Sequence, residues 1–113
     1  MISGQDKDKK MESVIVEAAS QFIARETSGF SLITITGARI EDRGARAIIL
    51  FTVLPDNERE AALGFLKRKR GVFRDYIKEK TRLHRIPLFD FELDRGEINR
   101  QRIDALTALQ KPL

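Results

Sequence analysis

The residues best suited to chemistry in this sequence are cations. Lys67, Arg70, Arg74, Lys78, Arg82 and Arg85 recur at helical spacing, with Arg68 and Lys69 between them. From residue 67 to residue 85 there are nine Lys and Arg against two acids, Asp75 and Glu79, a local net charge of +7. The whole chain carries +4, so the remainder sums to −3 and the positive charge is concentrated on one stretch. Such a concentration is the electrostatic footprint of a surface that meets phosphate groups. A solvated lysine-rich face is the competing reading, because most charge runs are no more than that.

The other reactive side chains offer less. His84 is the only histidine, and the chain contains no cysteine, which excludes disulfides and thiolate zinc sites. No further ligands cluster in sequence around His84, so a capping or surface role is expected for it. Asp90, Glu92 and Asp94 alternate and share one face of a strand. They are conceivable magnesium ligands, but a solvated outer face that balances neighbouring arginines fits them better. No Walker or Rossmann glycine pattern is present. The residues themselves therefore show no obvious enzyme.

The element that must position the cations is Leu63–Arg85, LGFLKRKRGVFRDYIKEKTRLHR. Phe65, Lys69 and Phe73 stand four apart, and Leu66, Val72, Tyr76, Ile77 and Leu83 fall around the same side. One unbroken helix would place the Lys69 ammonium in the middle of an apolar stripe. Burying it unpaired would cost several kcal/mol, roughly. A break relieves the conflict, and Gly71 tolerates one. The pattern predicts two helices, about 57–70 and 72–84, with a kink at Lys69-Arg70-Gly71 centred on Gly71.

A chain of 113 residues with 42% hydrophobic content can form one domain around a single core. The longest apolar run, Ile48–Phe51, is too short to cross a bilayer, and residues 1–10 lack a signal-peptide core. A soluble, cytoplasmic, monomeric protein is expected. Residues 1–10 read as a flexible arm, 11–95 as the folded domain and 96–113 as a helical tail. Within the domain, Met11–Arg25 is a helix with apolar rows Val14, Ala18, Phe22 and Ile15, Ala19, Ile23, ended by Thr27, Ser28 and a capping Gly29.

Leu32–Ile40 is a strand whose apolar phase flips after Gly37. A β-bulge there returns Ile33, Ile35, Ala38 and Ile40 to one side. Residues 41–44 form a hairpin turn. The next strand has Ala47, Ile49, Phe51 and Val53 on its inner face, with Ile48 and Leu50 on the other. It is either central and covered or a sticky patch for a protein partner. Asn57 and Glu60 match a capping box. After the paired helices, Pro87 opens an edge strand, LFDFEL, with Phe89, Phe91 and Leu93 pointing inward. Glu97–Leu109 completes the order as a helix with Asp94 near its start. Helices on one face of a three-stranded sheet are the natural α+β architecture.

Four segments resemble the ribosome-binding factor A family. LITITGARI is similar to the family's T-V-T-x-V strand, and Arg46-Ala47 running into Ile48–Val53 to its A-x-V-y-V-S-V strand. Arg82-Leu83-His84-Arg85-Ile86-Pro87 with Phe89 and Phe91 is similar to L-R-x-x-P-x-L-x-F. Arg102-Ile103-Asp104-x-Leu106 is similar to an R-I-x-x-L ending, so the likeness spans residues 11–106. It implies a KH-like fold of the second type, αββααβ, in which a helix-kink-helix carrying Ala-x-Gly replaces the GxxG loop that clamps nucleic acid in other KH domains. Here that triplet is Lys69-Arg70-Gly71, and the Asp-Leu usual before the second strand is replaced by Asp42 followed by Arg43-Gly44.

The resemblance further implies no enzymatic activity, no cofactor, and binding to the small (30S) ribosomal subunit. It implies help in late maturation of 16S rRNA, including the 5′-terminal region, and support of growth in the cold. The expected RNA contacts are Lys67, Arg68, Lys69, Arg70 and Arg74 around the kink, extended by Lys78, Arg82 and Arg85, with Arg39, Arg43 and Arg46 as a second edge. Phosphate contacts position a protein without reading bases, so selectivity would come from RNA shape and ribosomal neighbours. Two rivals stand beside this reading. One is a generic KH-like module for single-stranded RNA; the other is a protein-interaction domain built on Ile48 and Leu50.

Overall fold

The computed structural model describes residues 4–27 and 32–110, the side chains of 4–7 and 109–110 excepted. Helix α1 runs from Gly4 to Glu26 and buries Ile15, Ala18, Ala19, Phe22 and Ile23. Its start lies inside the stretch read as a flexible arm. Initiating a helix is the costly step and extending one is cheap, so a packed segment from Met11 onward carries the preceding polar residues into helix. Thr27 closes it, donating from both its N–H (3.0 Å) and its hydroxyl (2.8 Å) to the Ile23 carbonyl. The expected capping Gly29 lies outside the described residues.

Strand β1 (Leu32–Glu41) pairs antiparallel with β2 (Arg46–Leu54). The register shifts between Ile35 and Gly37, leaving Thr36 as the extra residue. Ile33, Ile35, Ala38 and Ile40 all pack on the core as a result, as the phase flip in the sequence required. The hairpin turns through Asp42 (φ 52°), Arg43 (φ 55°) and Gly44 (φ 90°). Gly44 is buried beside the Met11 methyl group. Aspartate tolerates the left-handed region better than most side chains, and glycine enters it freely.

Next come α2 (Arg59–Arg68), α3 (Arg70–Lys80) and β3 (Leu88–Leu93), which pairs parallel with β2. The sheet order is β1-β2-β3, so β2 is central and β3 lies at an edge. The predicted capping box is replaced by a short turn of 3₁₀ helix at Asp56–Glu58, and no side chain caps α2. Asp56 instead pairs with Arg59 at 3.1 Å. Helix α3 ends at Lys80 rather than near His84, because the Thr81 hydroxyl takes the Ile77 carbonyl at 2.7 Å.

All three helices bury residues against the inner face of the sheet, on Ala47, Ile49, Phe51, Val53, Phe89 and Phe91. Phe73 is the hub, with ring centroids 5.3 Å from Phe22, 4.8 Å from Phe89 and 6.2 Å from Phe91. Each such ring contributes about 1.5–3 kcal/mol by leaving water. The order αββααβ thus forms first. Helix α4 (Arg95–Gln110) follows, and residues 101–108 are exposed throughout. Ile103 and Leu106 on it face solvent.

The outer face of β2 is covered at Ile48, while Leu50 is only half-buried. Ile48 is only 2% exposed. Arg39 stands opposite Ile48 on β1, and Glu92 stands opposite Leu50 on β3. Their 3.3 Å ion pair therefore crosses the central strand, and the arginine stem covers the isoleucine.

Candidate nucleic-acid interface

The chain breaks between α2 and α3 at Lys69, whose backbone (φ −92°, ψ 2°) leaves the helical region. Its N–H is shared between the carbonyls of Phe65 (3.2 Å) and Leu66 (3.0 Å), while its own carbonyl accepts the Phe73 N–H at 2.8 Å. One helix ends and the next begins on the same residue. Gly71, the expected centre of the kink, lies two residues past the break, which still falls within the expected Lys69-Arg70-Gly71 triplet. Gly71 is the second residue of α3, with no atoms within 4 Å of where a Cβ would stand. The break resolves the conflict over Lys69 by turning its ammonium toward Glu26, 3.7 Å away at the end of α1, and over the Phe65 ring at 5.6 Å.

No side chain caps α3, whose first turn starts beside Arg70 and Gly71 directly after the last turn of α2. Strand β2 begins at Arg46, which pairs in register with Leu88. Arg46, Arg70 and Arg74 consequently line one cleft with Gly71, Leu88, Phe89 and Asp90. The hairpin and the helix pair, read from sequence as two edges, meet there. Uncapped helix N-termini and guanidinium groups both favour anions.

The predicted contact residues divide into two groups. Lys67 Nζ lies 2.9 Å and Arg70 Nη1 3.5 Å from Asp90 Oδ1. Arg39 pairs with Glu41 and Glu92, and Arg46 lies 4.0 Å from Glu41. Arg74 donates to the Ile86 carbonyl at 3.4 Å. Among the described residues Arg68, Lys78, Arg82, Arg85 and Arg43 make no ion pair, and all five are exposed. Arg82 and Arg85 sit in the irregular segment 81–87 after α3, not on the helix their spacing suggested.

The alternating carboxylates, read as a solvated face or a remote magnesium site, have separate duties. Asp90 holds Lys67 and Arg70, Glu92 holds Arg39, and Asp94 accepts from Thr36 and from the Glu97 N–H. Among the described residues no three potential metal ligands come together. Burial alone would raise the Asp90 pKa. The bonds from Lys67 and the Phe91 N–H, with the charges of Lys67 and Arg70, outweigh it and hold the carboxyl below its usual range. Asp90 was read from the sequence as an acid of an outer strand face balancing neighbouring arginines, and it does pair with Arg70; that it also holds Lys67 is visible only once β3 is placed beside α2. Among the described residues the Phe and Tyr rings are buried or half-buried, and His84 is the exposed ring, so little is displayed for stacking on bases.

An αββααβ order, with one antiparallel and one parallel strand pair and a basic helix break where other members carry a GxxG loop, defines a KH-like domain of the second type. The sequence profile of the family described as ribosome-binding factor A matches residues 7–107, and the chain belongs to that family. The crystal structure of ribosome-binding factor A from Thermus thermophilus is similar at a TM-score of 0.69 and 20% identity, over 78% of this chain and 96% of that one. The solution structure of a candidate ribosome binding factor A from Thermotoga maritima is similar at a TM-score of 0.55 and 21% identity, over 74% and 79% of the two chains. No curated protein matches the sequence significantly.

Proposed function

We propose that this protein binds the small (30S) ribosomal subunit in the cytoplasm as a monomer and assists late maturation of 16S rRNA, including its 5′-terminal region. It acts without catalysis, by favouring one rRNA arrangement through differential binding. Membership of a ribosome-binding factor family supports the partner. The observation that carries the surface is the meeting of Arg46, Arg70 and Arg74 at the uncapped start of α3, flanked by the exposed Arg68, Lys78, Arg82 and Arg85. With His84 the one exposed ring among the described residues, the surface offers little base stacking and suits the backbone of folded RNA better than single strands.

The test is co-sedimentation with small subunits at moderate salt. Arg70→Glu with Arg74→Glu probes the cleft, and Arg82→Glu with Arg85→Glu probes the flank without disturbing an internal ion pair. Loss of binding with an unchanged circular dichroism spectrum is expected for both. Retained binding by both double variants rejects the surface.

A further inference from the structure

We propose that Asp90 restrains the basic surface against arbitrary polyanions, holding Lys67 and Arg70 until a backbone phosphate seated among Arg46, Arg70 and Arg74 takes its place. The inference rests on reading that surface as an RNA contact, and it assigns selectivity to a residue that touches no ligand in the resting protein.

The geometry is that of a built-in anion. One oxygen, Asp90 Oδ1, accepts from Lys67 Nζ at 2.9 Å, from Arg70 Nη1 at 3.5 Å and from the Phe91 N–H at 2.8 Å. The bond to its own strand fixes the carboxylate, so it cannot swing away with the cations. Arg70 is also held by its Nε, which donates to the Lys67 carbonyl at 2.9 Å. That bond keeps the guanidinium at the mouth of the cleft, beside the open space at Gly71, where a phosphate can meet it in place of Asp90.

Two consequences follow from the charges. Partly exposed ion pairs are worth little, so a phosphate placed in the cleft can displace Asp90 cheaply. A polyanion that brushes the surface without seating there meets a fixed negative charge among the cations. Penalising the wrong partner is as effective for specificity as rewarding the right one. The cations on the flank, Arg82 and Arg85, have no such internal partner among the described residues and attract RNA of any sequence.

The experiment compares the unmodified chain, Asp90→Asn and Glu92→Gln for binding to an oligouridine RNA across a salt series. Glu92→Gln makes the same charge change two residues along the strand but releases Arg39 instead. Asp90→Asn is expected to bind about tenfold tighter, with a log K against log salt slope steeper by about 1.4 units for two freed cations on a single strand. Glu92→Gln is expected to stay within about twofold of the unmodified chain, as a surface change away from the cleft. Equal behaviour of the two variants, whether both unchanged or both tighter, overturns the proposal.

Should Asp90→Asn fail to fold, the Asp90 carboxyl carbon of the unmodified chain is followed by NMR as a folded RNA hairpin, the kind of backbone the surface is read to seat, is added. A shift on saturation supports displacement, and a resonance that stays put overturns it. Should the unmodified chain bind neither this RNA nor small subunits, the RNA reading itself fails and takes this inference with it.

Discussion

The Thr36 hydroxyl donates to Asp94 Oδ2 at 2.5 Å, across 58 positions of sequence. Thr36 is the residue that the β1 bulge leaves unpaired, and Asp94 is the residue that caps α4 through the Glu97 N–H at 3.0 Å. The bulge therefore tethers the root of a helix whose outer turns lie exposed to solvent.

Asp94→Ala is expected to fray the first turn of α4 and to cost about 1 kcal/mol, the usual worth of an N-cap. Thr36→Val should cost less, because the cap itself survives. Amide exchange at residues 97–100 checks both, and unchanged protection in Asp94→Ala counts against the tether.

The same aspartate predicts a pH response. The Thr36 hydroxyl bond, followed by the Glu97 N–H, lowers the Asp94 pKa from its ordinary value. A lowered folded pKa means stability that is complete above the unfolded aspartate value of about 3.9 and is lost as pH falls through the folded one. Helix α4 should hold from neutrality to about pH 5 and weaken below about pH 4. In Asp94→Asn this part of the acid response disappears, as a pH titration of the Glu97 amide resonance would show.

Gly71→Ala should stabilise the fold by about 0.4–1 kcal/mol, since the position is helical and open. Thermal unfolding checks it. A true kink at Gly71 would have made the same change destabilising, so the sign distinguishes the two descriptions.

Lys69 and Arg39 should contribute little to RNA binding despite their place in the basic pattern. Lys69→Ala removes an ammonium that faces Glu26, away from the cleft. It should leave small-subunit affinity within about threefold and stability within about 1 kcal/mol, as expected of a partly exposed pair. Arg39→Ala should uncover Ile48 and lower stability by about 1 kcal/mol through lost packing. Urea unfolding and sedimentation measured together separate these effects, and a large binding loss in either variant would return that residue to the interface.

Much of the fold was legible because it is written in local periodicities. The strand alternation from Leu32 to Val53 has a phase flip that only a bulge reconciles, and the bulge is present. The stripe of Phe65, Phe73 and Ile77 marked its own interruption at Lys69. Termini of elements were harder. Thr81 and the short turn at Asp56–Glu58 override the helix ends suggested by periodicity, because one hydrogen bond can decide where a helix stops.

The sequence by itself determined which residues could be core, where the chain had to bend, and that positive charge gathers between residues 67 and 85. These depend on spacing along one chain and on the cost of burying an ammonium. Only the tertiary structure decided which cations stay available. Asp90 and Arg70 are twenty residues apart and Arg39 and Glu92 fifty-three, and it is parallel pairing of β3 with β2 that brings their charges together. Electrostatic attraction depends on distance in space, and distance in sequence carries almost none of that information once a sheet has formed.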